Sequence, residues 1–224
     1  MDGYLLVDKP AGWTSFDVVA KIRGLIRTET GKKVKVGHSG TLDPFATGLL
    51  IILIGSYTKR QDEFMKMDKV YEATMELGKT STTGDPEGEV IQIGDRRPEI
   101  EEVRAVLKKF TGEIEQTPPQ YSAIKIGGKK AYELARAGKS VELKSRKVTI
   151  YSYEDIKYEY PKLSFTVKVS SGTYIRSLAS DIGETLKTGA YLTELRRTQI
   201  ANFDLGKAVK PQKLTIDNLY LKVL

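Results

Sequence analysis

The chain has 224 residues, of which 40% are hydrophobic and 29% charged, and its formal net charge is +7. It has no cysteine and one histidine. Disulfides and thiolate metal sites are therefore excluded, and zinc is disfavoured because a protein zinc site usually needs about three or four Cys, His or carboxylate ligands. The amino terminus lacks the basic and apolar regions of a signal peptide, and the longest apolar run, at 49–54, is far shorter than the ~20 residues of a membrane helix. The composition predicts a cytoplasmic globular protein without membrane association, and its positive charge permits an anionic partner.

The first predicted elements are a strand and a helix. Residues 4–7 have a strand pattern that ends at a turn, and a helical pattern follows in TSFDVVAKIRGLIR. Thr14 and Asp17 have capping-box spacing at the start of this helix. The helical period places four apolar residues on one face, which we expect to pack against the core: Phe16, Val19, Ala20 and Ile26.

A glycine-rich loop at 37–48 reads GHSGTLDPFATG and leads into the apolar run LLIILIG. The loop contains the only histidine and an isolated carboxylate, and the apolar run predicts a buried strand. Asp43 precedes Pro44, which favours an extended backbone, and aspartate also favours turns by bonding its own backbone. Asp43 is therefore either a turn residue or a functional carboxylate, and the local sequence leaves both readings open.

Strands and helices follow one another irregularly in the rest of the chain. A two-residue period in VYEATMELG places Tyr71 on the apolar face of a strand. A helix is predicted in PEIEEVRAVLKKF, with Pro98 in its first position and end charges that complement the helix dipole. A strand in KLSFTVKVS, a helix in SGTYIRSLASDIGETLKTG and a final strand in YLTELRRTQIANFDL complete the order. These elements predict an α+β fold with a central mixed, largely antiparallel sheet flanked by helices.

Positive charge is concentrated in one segment, residues 121–150. This segment contains eight basic and two acidic residues, a net +6 out of the +7 of the whole chain, with Tyr121 and Tyr132 interleaved. Such a pattern suits a flap that grips a phosphate backbone, and it also suits a solvated surface. The basic residues are Lys125, Lys129, Lys130, Arg136, Lys139, Lys144, Arg146 and Lys147.

If Asp43 is catalytic, its carboxylate must be ionised and held in a fixed orientation. A carboxylate with a pKa of ~3.9 is already ionised at neutral pH and needs no activating histidine. It does need orientation, which a guanidinium supplies through bidentate bonds. Glycosidases use carboxylates at an anomeric carbon, normally in pairs, and no second carboxylate stands out here. A reaction whose leaving group stays in the site and is reattached has less need of a second carboxylate.

Six motifs in this order resemble the bacterial tRNA pseudouridine-55 synthase family of the TruB type: LLVDKPAGWTSFDVV, VGHSGTLDPFATGLL, YEATMELGKTSTTGDPEGEV, TPPQYSAIKIGGKKAYELARAG, SSGTYIRSLASDIG and LTELRRT. The resemblance covers nearly the whole chain. It implies the pseudouridine synthase fold and an isomerase that converts uridine 55 of the tRNA TΨC loop into pseudouridine after flipping the base. It also implies that no cofactor or metal is needed.

The resemblance assigns roles by matching positions. Asp43 corresponds to the catalytic nucleophile, Arg176 to the arginine that pairs with it, and Tyr71 to the tyrosine that stacks on the uracil and is a candidate general base. Which uridine atom the aspartate attacks stays open. The remaining matches are residues that line the base pocket, contact the T-loop or form an N-terminal structural motif: Tyr174 and Leu195, then His38, then Lys9 and Pro10.

The resemblance also implies a domain organisation and a partner. We expect a catalytic domain at 1–205, with 121–150 as an RNA-gripping insertion, and a short tail at 206–224 without the PUA domain that family members commonly carry. The expected partner is the T-arm of tRNA, bound by a monomer that requires no protein partner. A non-catalytic tRNA-binding or folding protein on the same fold is the alternative, and the guide-RNA-dependent branch of the superfamily is a third reading.

Overall fold

The structure is a computed structural model that describes residues 1–122, 124–138, 142–216 and 219. Among these residues no helix is long and apolar enough to cross a membrane. The strands are β1 Gly3–Lys9, β2 Val36–His38, β3 Thr47–Ile54, β4 Lys69–Leu77, β5 Lys79–Ser81, β6 Val90–Gln92, β7 Gly112–Gln116, β8 Lys125–Ile126, β9 Lys129–Lys130, β10 Arg146–Glu159, β11 Lys162–Val169, β12 Ala190–Ile200 and β13 Phe203–Asp204. The α-helices are α1 Ser15–Thr30, α2 Gln61–Met65, α3 Ile100–Lys109, α4 Ala131–Arg136 and α5 Ile175–Thr185.

The chain forms two compact units. The first comprises Met1–Glu72 and Leu195–Leu224, and the second comprises Ala73–Glu194. Strands β4 and β12 contribute residues to both units. The predicted division of the chain at residue 206 stays a prediction.

In the first unit the predicted buried strand is β3. It pairs antiparallel with β1, from Gly3 opposite Ile54 to Lys9 opposite Gly48, and parallel with β12. The residues at 49–54 are all completely buried, because apolar clusters cover both faces of the strand. A strand covered on both faces has a continuous apolar run instead of an alternating one.

Helix α1 confirms the predicted capping box but not the predicted buried face. Thr14 Oγ1 accepts from the backbone N of Asp17, and the Asp17 carboxylate accepts from the backbone N of Thr14. The buried face consists of Ser15, Val18, Val19, Ile22 and Ile26, so the prediction was wrong for Phe16, which is 60% exposed, and for Ala20. The predicted face was about one residue away from the buried one, which also has helical spacing and packs in the same cluster as apolar residues of β3.

The second unit contains the strand order β4, β11, β10, β7, in which β10 is antiparallel to both of its neighbours. The predicted strand KLSFTVKVS is β11, which buries alternate apolar residues, and the predicted helix after it is α5, which buries an apolar stripe: Leu163, Phe165, Val167 and Val169, then Ile175, Leu178, Ala179 and Ile182. Helix α3 begins at Ile100 with Glu99 as its N-cap. Pro98 therefore lies before the helix and not in its first position, because a capping box between Glu99 and Glu102 sets the start. The pairing pattern confirms an α+β fold with a mixed, largely antiparallel sheet.

Candidate active site

The loop that carries Asp43 is fastened to the segment between β1 and α1. The Asp43 carbonyl accepts from Ala46 N at 3.1 Å, which closes a turn, and the Pro44 carbonyl accepts from Gly12 N at 2.9 Å. The buried Ser15 hydroxyl accepts from the backbone N of Leu42 at 2.9 Å and donates to the Leu42 carbonyl at 3.1 Å. Asp43 is thus the first residue of a turn, which is one of the two readings that its local sequence leaves open, and the turn is anchored on both sides of it. Such anchoring is what a carboxylate with a fixed direction of attack requires.

Lys9 supplies a further anchor for this turn. Its side chain is completely buried, and Nζ donates to the carbonyl oxygens of Pro10 at 3.0 Å, Trp13 at 2.6 Å and Pro44 at 3.2 Å. Three carbonyl acceptors offset part of the cost of removing an ammonium group from water. These contacts support the structural role that the resemblance implies for the Lys9-Pro10 motif.

The first unit also holds three other predicted site residues. Tyr71 lies on β4 and is 7% exposed, which confirms its predicted apolar-side position. Leu195 lies on β12 and is 8% exposed. His38 ends β2, is partly exposed, and its carbonyl accepts from Gln61 Nε2 at 3.1 Å. The roles of these residues toward a uridine and its RNA stay predictions.

Arg176 lies in the second unit, in the first turn of α5, and is 4% exposed. Its Nη1 lies 3.2 Å from Asp85 Oδ2 and donates to the Thr83 carbonyl at 2.9 Å, and its Nη2 donates to the Tyr121 carbonyl at 2.7 Å. The guanidinium is therefore held in a fixed orientation by groups of its own unit. Its predicted pairing with Asp43, which belongs to the first unit, stays a prediction.

The carboxylate of Asp85 is itself oriented. Its Oδ1 accepts from Thr83 Oγ1 at 2.5 Å and from Glu87 N at 3.0 Å, so that Oδ2 faces Arg176. The pattern TTGDPEGEV indicates only a turn, and sequence reasoning missed the role of Asp85. One signal is present in the sequence: Asp85-Pro86 is the same dipeptide as Asp43-Pro44.

Tyr174, a predicted pocket residue, is held by a second residue that the sequence did not reveal. The side-chain amide of Gln116 accepts from Tyr174 N at 2.8 Å and donates to the Tyr174 carbonyl at 3.0 Å, and Gln116 is 1% exposed. The guanidinium carbon of Arg146 lies 4.9 Å from the centre of the Tyr174 ring, within cation–π range. Arg146 also donates to the Gly172 carbonyl. Arg146, predicted to contact the RNA backbone, therefore packs on the Tyr174 ring.

The other predicted RNA-backbone residues lie on β8, β9, α4 and β10, except Lys144, which precedes β10. Lys129, Lys144 and Lys147 are exposed or partly exposed, and Lys147 Nζ lies 2.7 Å from Glu113 Oε1 at a surface where both side chains are mostly exposed. Lys139 and the side chains of Lys125, Lys130 and Arg136 lie outside the described residues. RNA contact by this segment stays a prediction.

Two family profiles together match almost the whole chain. Residues 27–175 match the TruB family pseudouridylate synthase (N terminal domain), and residues 176–222 match the tRNA pseudouridylate synthase B C-terminal domain. The fold, the anchored turn that carries Asp43 and these two matches define this protein as a pseudouridine synthase. The chain belongs to the TruB family.

Curated relatives and a solved structure agree with this assignment. The chain is 46% identical over 98% of its length, and 74% of the relative's, to the tRNA pseudouridine synthase B of Clostridium novyi (strain NT). It is 47% identical to that of Endomicrobium trichonymphae over 94% of this chain and 90% of the relative. The crystal structure of a Cbf5-Nop10-Gar1 complex matches with a TM-score of 0.73 and 32% identity, over 98% of this chain and 55% of that chain. The predicted family, fold and enzyme class, an isomerase that makes pseudouridine, are confirmed.

Proposed function

We propose that this chain converts uridine 55 in the T-arm of tRNA into pseudouridine, with Asp43 as the nucleophile. The observation that supports the tRNA substrate most strongly is the similarity, over almost the whole chain, to relatives named tRNA pseudouridine synthase B. The described contacts are compatible with this reaction: within the first unit the backbone of the Asp43 turn is anchored, and within the second unit the Arg176 guanidinium is held by Asp85 and two carbonyls.

The reaction begins with extrusion of the uridine from the folded loop, which costs a few kcal/mol of unstacking. The Tyr71 ring offsets part of this cost by stacking on the flipped uracil. Asp43 then attacks the nucleotide, the bond between N1 and C1′ breaks, and the uracil rotates in the pocket. The bond to Asp43 breaks and C5 joins C1′. C5 then loses its proton to a base and N1 takes up a proton, so that the C5–C6 double bond is restored and the product is an isomer of uridine. Because the uracil stays in the site throughout, the reaction has less need of a second carboxylate as a general acid.

Arg176 has the second role in this proposal. A guanidinium that pairs with the Asp43 carboxylate keeps the carboxylate ionised and aimed. Because Asp85 and two carbonyls already fix the guanidinium, it is oriented before substrate binds. We expect the purified chain to act as a monomer without a protein partner, in the cytoplasm where tRNA is modified.

The test uses tRNA transcript labelled with tritium at C5 of uridine, because formation of the C5–C1′ bond releases the tritium. Wild-type protein is expected to release one equivalent per transcript, and a transcript with cytidine at position 55 none. Asp43→Asn is expected to bind the transcript normally and release no tritium. Binding without release by the wild-type protein would show the non-catalytic alternative to be correct, and normal release by Asp43→Asn would exclude Asp43 as the nucleophile.

A further inference from the structure

Arg197 is a buried arginine that none of the roles above explains. It lies on β12 in the first unit and is 1% exposed, which places it among the largest fully buried side chains of the described residues. Arginine is almost never fully buried unless it is paired, because removing the guanidinium from water is costly. A residue kept buried at such a cost needs compensating contacts, and the location of those contacts indicates its role.

The hydrogen bonds of Arg197 reach both ends of the loop that carries Asp43. Nη2 donates to the Gly40 carbonyl at 3.1 Å, and Nε donates to the Leu49 carbonyl at 2.7 Å. Gly40 precedes Asp43 by three residues and Leu49 follows it by six. One rigid, planar group therefore fixes the separation of the two loop ends, which the flexible ammonium of a lysine cannot do.

The backbone of β12 contacts the same end of the loop. Arg196 and Arg197 pair in parallel register with Thr47 and Gly48. Gly48 has a φ of +103°, and a Cβ there would overlap the Arg197 carbonyl and lie 2.8 Å from the Arg197 nitrogen. This close approach requires glycine. The side chain and the main chain of Arg197 thus both determine where the loop ends.

We propose that Arg197 is a positioning residue for Asp43, which holds both ends of the Asp43 loop so that the carboxylate is placed before the uridine arrives. The proposal rests on the proposed function, in which Asp43 is the nucleophile. It predicts that changes at Arg197 slow the chemical step and leave RNA binding intact, because no contact with RNA is removed.

The test compares Arg197→Lys, Arg197→Gln and Arg197→Ala with the control Ile26→Ala. Ile26 is buried on α1 in the same unit and belongs to no part of the catalytic machinery. All proteins are assayed at least about 10 °C below their own melting temperatures, in single-turnover tritium release and in filter binding of tRNA. We expect each Arg197 variant to lose about 10- to 100-fold in the single-turnover rate constant with a Kd within about twofold of wild type, and Ile26→Ala to keep the wild-type rate.

Chemical rescue separates positioning from mere stability. Ethylguanidinium at millimolar concentration is expected to restore part of the rate constant of Arg197→Ala, without a change in its Kd, and to leave Ile26→Ala unchanged. Wild-type rates in the Arg197 variants, a loss confined to Kd, or a failure of every Arg197 variant to fold would each overturn the proposal. If Asp43→Asn is inactive and Arg197→Lys is fully active, only the positioning role of Arg197 is rejected. If Asp43→Asn is active, the assignment of Asp43 as the nucleophile is rejected, and the positioning role falls with it.

Discussion

Replacement of Asp85 with asparagine removes the negative charge that faces the Arg176 guanidinium and changes little else. The side-chain oxygen that the amide retains can still accept from Thr83 Oγ1 and Glu87 N, as the carboxylate Oδ1 does now. The group that replaces Oδ2 is an amide NH2, which presents a hydrogen-bond donor to the donor Nη1. The substitution therefore tests the ion pair and not the turn.

Both partners of this ion pair are buried, so that removing one of the charges has a large effect on stability. The side chains of Arg176 and Asp85 are 5% and 3% exposed, and the two charges lie 3.2 Å apart. Breaking a buried pair costs about 3–5 kcal/mol, but Arg176 keeps its two carbonyl acceptors. We therefore expect Asp85→Asn to lower the free energy of unfolding by about 2–3 kcal/mol, near the contribution of one hydrogen bond to a charged group. If the oriented guanidinium is required in the transition state, the same energy lowers the rate constant roughly 30- to 150-fold.

Two measurements check this expectation. Urea denaturation gives the free energy of unfolding, and single-turnover tritium release gives the rate constant. The matched control is Glu113→Gln, which breaks the exposed ion pair with Lys147 in the same unit; no measurable change is expected because exposed pairs contribute little. An Asp85→Asn protein with wild-type stability and rate would refute the reasoning that the pair is what orients Arg176.

Buried or half-buried polar groups give three further predictions. Lys9→Met leaves three carbonyls without their donor and should lower the free energy of unfolding by about 2–4 kcal/mol in urea titrations, with the rate constant of the folded fraction changed less. Burial, and secondarily Glu184, raises the pKa of Asp181 from 3.8 to about 6, so the folded state binds more protons than the unfolded state between these pH values, and the wild type should lose stability relative to Asp181→Asn as pH rises from about 4 to 6. At pH ~7.5 we expect the free energy of unfolding of Asp181→Asn to be higher by about 1 kcal/mol after solvent screening; parallel pH–stability curves would contradict this. Gln116→Leu removes both amide bonds to Tyr174 and should raise the KM for tRNA more than it lowers kcat, as steady-state tritium release would measure.

Local pattern was sufficient to predict strands that the core covers on one face or on both. The two-residue period predicted the inward position of Tyr71 on β4, and the continuous apolar run predicted the fully buried β3. The capping box at Thr14 was also predictable from the sequence, because all of its groups lie within one helical turn. The buried face of α1 was predicted wrongly at Phe16, although the helical spacing of Val18, Ile22 and their apolar neighbours does match the face that packs.

The sequence by itself determined the family, the order of most elements and the identity of the candidate nucleophile, because motifs and hydrophobic periods are local properties. Only the tertiary structure decided which charged and polar side chains are buried and what holds them. The bond from Arg197 to Gly40 joins residues 157 positions apart, and the bond from Arg176 to Thr83 joins residues 93 apart. A buried charge is stable only where folding brings acceptors to it, and no local pattern records acceptors that lie so far along the chain.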